Sequence, residues 1–495
     1  MEDQIIQKFL NPSIELIKEL LFSKKFKVTT GGAGFIDGKE IEINKDSKQF
    51  KLSFVIPWQE RKYFNSALDT VISEYSMQSE SGKVFLAPLR STLLNSINEV
   101  SSDPVNNYVD FIISGSLSQI TTAPINTFDN FHHRILIPVN DDRFSFKDYQ
   151  HWFFKTDLKT KNNELIKIKI KDFDFHFYTF KIDDKVFWAV DSFQKLEFRT
   201  FQEISFSIFN AFGFLEGDLH LNEYYYFISP DQTFQTELQI YYSSARDSIL
   251  TGYGIYTTNP YSVLVPLYKS KGEEVNHEEV KKWYAKLIFF NSDHLSKLAE
   301  YFWQYDSLSR AALIVLEANV QALELKAASY CVAYEAICHT IKNKFGIDSP
   351  NVIDEDIWNK TVKPDFINLI NKLRSDSKID ETQERILLSK LNNWNQPTNR
   401  DSLTAPFKKY GYTLNPQEYK CIDNRNKFLH GSLPVNEKDE NEAFHELYFI
   451  SMTIHKLIYI LVLKLIGFDG YIINYPKLHE HITGVKLDED VLVKI

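Results

Sequence analysis

Residues 423–431, near the C-terminal end of the chain, carry a dense set of side chains that could act on a phosphodiester. They read DNRNKFLHG, and the pattern predicts that a helix ends here. The guanidinium of Arg425 is a planar fork of donors that matches phosphate oxygens, and Asn426 adds a neutral amide. His430 precedes a helix-stopping glycine, and the negative end of the helix dipole favours its protonated form. Together these groups can hold a phosphodiester and move a proton near neutral pH.

The same groups meet the needs of RNA cleavage without a metal ion. The ribose 2′-hydroxyl is already the nucleophile, so the protein must position it, stabilise charge on the phosphoryl oxygens and move protons. In an ideal helix Arg425 and His430 point about 140° apart, so they converge only if the helix unwinds at the histidine. A local basic surface is also expected, from lysines that surround the motif in sequence: Lys408, Lys409, Lys420 and Lys427.

An ordinary structural role explains the same residues equally simply. An arginine and a histidine at a helix end can cap its C-terminus and pair with Asp423 or Glu335. The bare spacing of Arg425 and His430 also arises often by chance. On these residues alone, both explanations stay open.

The composition of the chain limits the classes of protein that it can belong to. With 495 residues, 43% of them hydrophobic and 25% charged, the chain has ordinary globular composition and room for two or more domains. The net charge of −10 argues against a protein that coats nucleic acid non-specifically. A nucleic-acid site must therefore depend on local charge.

The cysteines and the apolar segments predict a cytoplasmic protein. Cys331, Cys338 and Cys421 form no CxxC pair and have no metal-ligand spacing, so we expect reduced core cysteines and neither a metal nor a cofactor. The N-terminus lacks the basic start of a signal peptide. The longest apolar run, residues 457–466, is interrupted by Lys464 and is shorter than a membrane span.

The periodicity of apolar residues predicts an α+β fold with two domains. Aromatic residues make up 15% of the chain and lie mostly before residue 290. Short alternating runs there predict a β-rich N-terminal domain with embedded helices, residues 1–275. Residues 290–495 have helical periodicity almost throughout, which predicts an all-α C-terminal domain.

Several local predictions can be compared directly with a structure. The pattern predicts a helix over 2–22 that breaks or kinks at Asn11-Pro12, and strand structure over 165–181 with a hairpin turn or a bulge near Lys171-Asp172. It also predicts a capping box at 200–203 whose helix ends at Gly213, a strand over 262–267, a long helix within 306–342, a loop-rich segment over 394–413 and a helix over 418–430.

Two other candidates for chemistry are better explained by structure. The glycine-rich stretch 31–34 lacks the lysine and the helix of a phosphate-binding loop, so we interpret it as a hairpin. His132-His133 has no second ligand pair at metal spacing, which favours packing or a surface position.

The segment from Arg425 to Gly431, RNKFLHG, resembles the R-N-x-x-x-H signature of the HEPN superfamily. The flanking residues, roughly 293–470, have the helix order expected of a HEPN domain. A HEPN domain behind a large N-terminal domain is similar to the ApeA-type (Apea-like HEPN) proteins of bacterial anti-phage defence. The N-terminal likeness rests on layout and pattern alone.

The resemblance implies a metal-independent endoribonuclease that acts in abortive infection. Arg425 and His430 would be the catalytic pair, with Asn426 the polar residue beside the arginine. Glu335, on the first long helix, is the candidate for an additional acidic residue, and Asp423 and Lys427 would support the site. Two HEPN domains would pair as a homodimer around RNA, and the N-terminal domain would sense a phage-derived trigger.

Two functions from other classes remain as alternatives. In the first, the HEPN fold is a non-catalytic scaffold that dimerises or binds RNA, and the β domain senses a ligand. In the second, a carbohydrate-active N-terminal domain carries a helical accessory domain, since carboxylate pairs for glycoside chemistry cannot be recognised at this level.

Overall fold

The chain forms two compact units that interleave along the sequence. In a computed structural model, the described residues are 2–31, 36–46, 49–57, 59–60, 72–103, 108–139, 154–155, 158–159, 164–182, 185–245, 249–250, 254–347, 351–429 and 440–495. The first unit comprises Met1–Pro260 and Trp283–Gln304, and the second comprises Tyr261–Lys282 and Tyr305–Ile495. The first unit is rich in strands and the second in helices, so the α+β, two-part organisation is confirmed at this level.

The strands of the first unit are mostly short, as the turn signals in the sequence predict. They are β1 (Lys25–Gly31), β2 (Glu40–Lys45), β3 (Phe50–Ile56), β4 (Tyr75–Ser79), β5 (Val84–Ala87), β6 (Thr92–Asp103), β7 (Tyr108–Leu117), β8 (Gln119–Thr121), β9 (His132–Val139), β10 (Phe154–Lys155), β11 (Leu158–Lys159), β12 (Glu164–Ile170), β13 (Phe173–Ile182), β14 (Lys185–Ser192), β15 (Asp218–Leu219), β16 (Glu223–Ser229), β17 (Gln239–Ser244), β18 (Ile249–Leu250) and β19 (Phe290–Asn291).

One antiparallel sheet contains 15 of the described strands. Their order is β11-β12-β13-β14-β9-β16-β17-β8-β5-β4-β1-β2-β3-β7-β6. In β3 the alternation of side chains is plain, since Phe50, Leu52, Phe54 and Ile56 are buried while Lys51 and Val55 are exposed. This period of two is what a sheet with one covered face requires.

The helices lie mainly in the second half of the chain. The described helices are α1 (Glu2–Phe22), α2 (Phe198–Glu216), α3 (Tyr261–Lys271), α4 (His277–Tyr284), α5 (Ser292–Gln304), α6 (Asp306–Ala318), α7 (Leu323–Phe345), α8 (Glu355–Ile357), α9 (Lys363–Ser375), α10 (Glu381–Leu391), α11 (Asn399–Lys409), α12 (Pro416–Leu429), α13 (Glu440–Leu465), α14 (Tyr475–Leu478) and α15 (Glu480–Thr483).

The central strands of the first unit are buried on both faces. Leu136 of β9 and Ala189 of β14 belong to the apolar core that includes the buried side chains of α1. On the other face, His133 stacks on Phe201 of α2 with ring centroids 5.0 Å apart, and Trp188 stacks on a second α2 ring. Covering both faces excludes water from the middle of the sheet and leaves β9 buried almost throughout.

The core of the second unit is a set of packed helices centred on α13. Residues Leu457 to Leu463 of α13 are all buried. Helix α7 packs against α6, α12 and α13, and it also contacts α11. A two-stranded sheet, β20 (Tyr471–Ile473) with β21 (Leu492–Lys494), closes the C-terminal tail. The assignment of these helices as a HEPN bundle remains a proposal.

Within the described chain, α13 is the one helix long and apolar enough to cross a membrane by length and composition. The stretch concerned is Glu442–Leu465, and 89% of its most apolar window is buried inside the protein. Such burial is expected of the core helix of a soluble protein.

Three local predictions differ from the structure. Helix α1 continues through Pro12 instead of breaking there. The proline costs about 3 kcal/mol, but each buried side chain on the apolar face contributes about 1.5–3 kcal/mol. Residues 262–267 form α3, not a strand, since short apolar runs do not distinguish the two. The long helix predicted within 306–342 is two helices, separated at Asn319, whose side chain accepts a hydrogen bond from Tyr330.

Two helix boundaries also differ from the predictions. Helix α2 begins at Phe198 and ends at Glu216, with Gly217 as its C-cap, so Thr200 lies inside the helix and is not its N-cap. The predicted loop at 394–413 contains α11, where the Thr398 side chain accepts a hydrogen bond from the Asp401 backbone at 3.1 Å. Of the hairpin turn and the bulge predicted near Lys171-Asp172, the structure has the turn, with Lys171 at a φ of 52° between β12 and β13.

Candidate functional site

Helix α12 carries the motif and is anchored at its N-terminus. The Glu418 backbone donates to the Asn415 side chain at 2.8 Å, and the Asn415 backbone donates to the Glu418 carboxylate at 2.9 Å. This reciprocal capping satisfies two backbone donors that no helical carbonyl can reach. At the other end, Leu429 is the last described helical residue. His430 and the side chain of Asn426 lie outside the described residues.

Arg425 points into the protein and is held there by Glu335 of α7. Its side chain is 2% exposed, and Nε donates a hydrogen bond to Glu335 Oε1 at 2.7 Å. Nη1 donates to the Ile422 carbonyl at 3.3 Å, while Nη2 has no partner within the described part of the chain. The guanidinium therefore keeps one donor, Nη2, that neither contact uses, and this donor is buried.

The surroundings of Arg425 are apolar. Cys331 and Cys338 lie on the same helix as Glu335, and burial raises the pKa of each thiol to about 12, although the positive guanidinium lowers it. Tyr334 is also buried, and its hydroxyl donates to the Leu403 carbonyl at 2.9 Å. A charge in such surroundings needs a partner, because desolvation of an unpaired ion costs several kcal/mol. Glu335 is that partner.

Asp423 and Lys427, the expected supporting residues, face away from this pair. Asp423 Oδ2 lies 3.4 Å from Nη1 of Arg400, whose guanidinium also covers the Tyr419 ring at 4.9 Å. Lys427 is exposed at the last turn of α12. The structure therefore joins Arg425 to Glu335 and separates it from Asp423.

A cleft opens beside Glu335, between α7 and α11, and is called the Glu335 cleft below. Its volume is about 500 Å³, and its lining includes polar side chains from both helices: Glu335, His339, Lys342, Asn399 and Ser402. The Glu335 side chain is 36% exposed, so it touches both the buried arginine and the solvent of the cleft. Nζ of Lys342 lies 3.4 Å from the Ser402 hydroxyl.

A second cleft, of about 410 Å³, is lined by Asn424 of the motif. Helix α13 contributes His445 and two carboxylates, one of which lies 3.7 Å from the Lys420 ammonium. The acidic side chains make this cleft less suited to a phosphodiester than the Glu335 cleft, since like charges repel.

His339 and Lys342 were missed by the sequence analysis. They follow Glu335 at four and seven positions, the spacing that puts side chains on one face of a helix. That spacing was visible in the sequence. The opposite wall of the cleft was not visible in the sequence, because the segment that forms α11 had been interpreted as a loop.

Behind the site, a buried ion cluster ties α12 to α13 and to the C-terminal tail. Nζ of Lys456 lies 2.8 Å from Glu418 Oε1 and 3.2 Å from Glu489 Oε2. Asn474 also donates to Glu489, at 2.7 Å. Burial raises the pKa of the Glu489 carboxyl, but the ammonium and the amide outweigh it and hold the pKa below its usual value. The cluster fixes the start of the motif helix.

His133 serves packing, one of the two placements that the sequence favoured for the His132-His133 pair, and His132 is half-buried. His133 is buried, its Nε2 lies 2.9 Å from the Leu196 carbonyl, and burial lowers its pKa to about 4. The glycine-rich stretch 31–34 lies mostly outside the described residues.

Comparison with known proteins identifies no relative. No family model matches the chain, and neither the curated proteins nor the solved structures give a match.

Proposed function

We propose that this protein is a metal-independent endoribonuclease of the HEPN type, active in the cytoplasm in bacterial anti-phage defence. The proposal starts from the Arg425–His430 motif and its resemblance to the HEPN signature. It is supported by one contact above all, the ion pair between Arg425 and Glu335. These are the arginine of the motif and the acidic residue expected on the first long helix.

In the proposed reaction the 2′-oxygen of a ribose attacks the adjacent phosphorus and the bond to the 5′-oxygen breaks. The products are a 2′,3′-cyclic phosphate and a 5′-hydroxyl. One group must take the proton of the 2′-hydroxyl and another must give a proton to the leaving 5′-oxygen. His430 would perform one transfer, and His430 of a second copy would perform the other. Arg425 would stabilise charge on the phosphoryl oxygens.

Glu335 would hold the guanidinium in a fixed orientation for this work. A bond to Nε leaves the two Nη groups at the far end of the fork, and Nη2 has no partner in the described chain. An arginine fixed in advance loses little side-chain entropy when it binds phosphate. The N-terminal unit would sense the trigger, and the second unit would form the homodimer.

The burial of Arg425 favours a second candidate function. At 2% exposure, with its Nε bound to Glu335, the guanidinium has the environment of a structural ion pair. The second unit would then be a non-catalytic scaffold that dimerises or binds RNA. The two functions differ in whether the protein cleaves RNA, which is easily measured.

The test is RNA cleavage in EDTA by the wild type, Arg425→Lys, Arg425→Ala and His430→Ala. The matched controls are Arg310→Ala and His277→Ala, which change an exposed arginine and an exposed histidine in the second unit. We expect cleavage products with cyclic phosphate ends from the wild type and both controls, and none from the motif variants. Thermal unfolding of each variant verifies that it is folded.

Other outcomes would reject the proposal. If no folded variant cleaves RNA, and the wild type also leaves it intact in the presence of phage lysate, the scaffold function is favoured. Cleavage that EDTA abolishes would indicate a metal nuclease. Cleavage that survives in both His430→Ala and Arg425→Ala would move the active site elsewhere.

A further inference from the structure

We propose that the Glu335 cleft binds the RNA backbone beside the scissile bond, with Lys342 and His339 as its phosphate contacts. This inference rests on the proposed function and goes beyond it, because neither residue belongs to the motif. The cleft and the motif meet at Glu335, which lines the cleft and holds Arg425.

The three residues of α7 form a continuous row. Glu335, His339 and Lys342 are spaced by four and three positions, so they stand one above the other on one helix face. All three line the same cleft, and Ser402 of α11 faces them from the other wall. A chain that follows the row from Lys342 reaches Glu335 and, behind it, the guanidinium of Arg425.

The charge of the row favours a polyanion. Arg425 neutralises Glu335 through the direct ion pair. Lys342 contacts the neutral Ser402 hydroxyl, and no carboxylate of the described residues lies within 4.0 Å of its ammonium. The cleft therefore carries one unneutralised positive charge. On a chain of net charge −10, such a site is needed for any affinity for RNA.

His339 adds a directed donor. It is exposed, and its Nε2 lies 2.8 Å from the amide nitrogen of Asn343. An amide nitrogen only donates, so Nε2 is the acceptor of this contact and the ring N–H is on Nδ1. That N–H remains to bind a phosphate oxygen.

The dimensions also suit a nucleotide. At about 500 Å³, the cleft is within the range of small-molecule sites, roughly 300–1,000 Å³. It is open to solvent along the row, because His339 and Asn399 are exposed. A single strand can therefore enter along its length.

The test measures RNA binding separately from cleavage. His430→Ala, which should not cut, is combined with Lys342→Gln or His339→Gln, and the affinity for a short fluorescein-labelled single-stranded RNA is measured by anisotropy at several salt concentrations. Lys344→Gln is the matched control, since Lys344 is exposed on the same helix but does not line the cleft.

We expect Lys342→Gln and His339→Gln each to weaken binding by about 3- to 10-fold. Lys342→Gln should also reduce the slope of log affinity against log salt by about 0.7, the value for one phosphate contact on a single strand. Lys342→Arg should retain binding, which excludes a folding defect as the cause, and Lys344→Gln should match the parent variant.

Three results would overturn the inference. Equal losses in Lys342→Gln and Lys344→Gln would indicate a diffuse charge effect. Unchanged affinity in both cleft variants, with cleavage by the wild type intact, would place the RNA elsewhere and leave the nuclease proposal standing. No RNA binding by any variant, with no cleavage by the wild type, would reject both.

Discussion

Glu335 Oε1 accepts a hydrogen bond from Arg425 Nε at 2.7 Å, across 90 positions of sequence. The two side chains differ in exposure, 36% for the carboxylate and 2% for the guanidinium. The acid can therefore be solvated without its partner, whereas the arginine cannot. This asymmetry makes the loss of either partner distinguishable in experiments.

Removal of Glu335 should destabilise the second unit more than replacement of Arg425 by a residue of similar shape. Glu335→Ala leaves a buried cation unpaired, and we expect a loss of about 1–3 kcal/mol, less than the 3–5 kcal/mol of a fully buried pair because the acid is partly solvated. Arg425→Met should be close to neutral, because it removes the charge but keeps apolar volume. Calorimetry of the second unit's transition measures both.

The double variant, Arg425→Met with Glu335→Ala, is the control for that comparison. We expect it to recover much of the stability that Glu335→Ala loses while remaining inactive on RNA. If the stability loss of the double variant equals the sum of the losses of the two single variants, the pair does not couple α7 to α12.

Acid should destabilise the second unit through His455. Its ring is buried in α13 against Tyr330 and Tyr459, and burial, aided by the positive Lys326, lowers its pKa to about 3 from the usual 6.5. Below pH 6.5 the His455 ring therefore binds a proton in the unfolded chain but not in the folded chain. Stability is complete above pH 6.5 and falls by about 1.4 kcal/mol per pH unit below it. His455→Phe should flatten that part of a melting temperature against pH profile.

Acid should also destabilise the second unit through Glu489, at a lower pH than through His455. Although burial raises the pKa of its carboxyl, Lys456 and Asn474 lower it below the usual 4.5. The stabilisation from this group is present above pH 4.5 and is lost as pH falls through the folded value. Glu489→Gln should remove the pH dependence at modest cost, measured by melting temperature between pH 5 and pH 3.

Lys456→Met should be the more harmful change to the same cluster. It leaves Glu418 and Glu489 with no cation, and Glu418 is buried. We expect a loss of about 3–5 kcal/mol near neutral pH. If Lys456→Met melts at the wild-type temperature, the cluster does not hold α12 in place.

The thiols should report on opening of the region around Arg425. Cys331, Cys338 and Cys421 are buried, and burial raises the pKa of each to about 12. Only a thiolate reacts with Ellman's reagent, so the folded protein should react slowly and react fully in denaturant. Val332→Cys, on the exposed face of α7, supplies a fast-reacting control. Rapid reaction of the native thiols in the wild type would contradict the packing described.

Where several signals agreed, the fold followed from the sequence. The alternating apolar residues of the β12–β13 hairpin were predicted correctly, and its turn at Lys171-Asp172 was one of the two alternatives that the sequence allowed. Helix α12, Pro416–Leu429, begins two residues before the start of the helix predicted over 418–430. The break expected at Pro12 and the loop expected over 394–413, which contains Pro406, are absent. Each proline stands inside a helix whose buried face outweighs the local penalty.

The candidate site was predictable only in part, for a related reason. The motif helix and a partner for Arg425 were deduced, with Glu335 and Asp423 as the choices. Choosing between them requires knowing which side of α12 faces α7, and periodicity alone does not give that. The Glu335 cleft depends on α11, whose capping residue Thr398 precedes Asp401 by three positions and could have revealed the helix.

The path of the chain between the two units constrains how the protein is made. Helix α5 belongs to the first unit, where its Ser296 hydroxyl accepts a hydrogen bond from the Lys169 backbone and Phe302 packs on Phe214. Yet Tyr261–Lys282, synthesised earlier, belong to the second unit. On a ribosome that adds about 5–20 residues per second, the first unit waits for a late helix while the start of the second is already exposed. A nascent chain stopped near residue 280 would present an open face of the β-rich unit to chaperones.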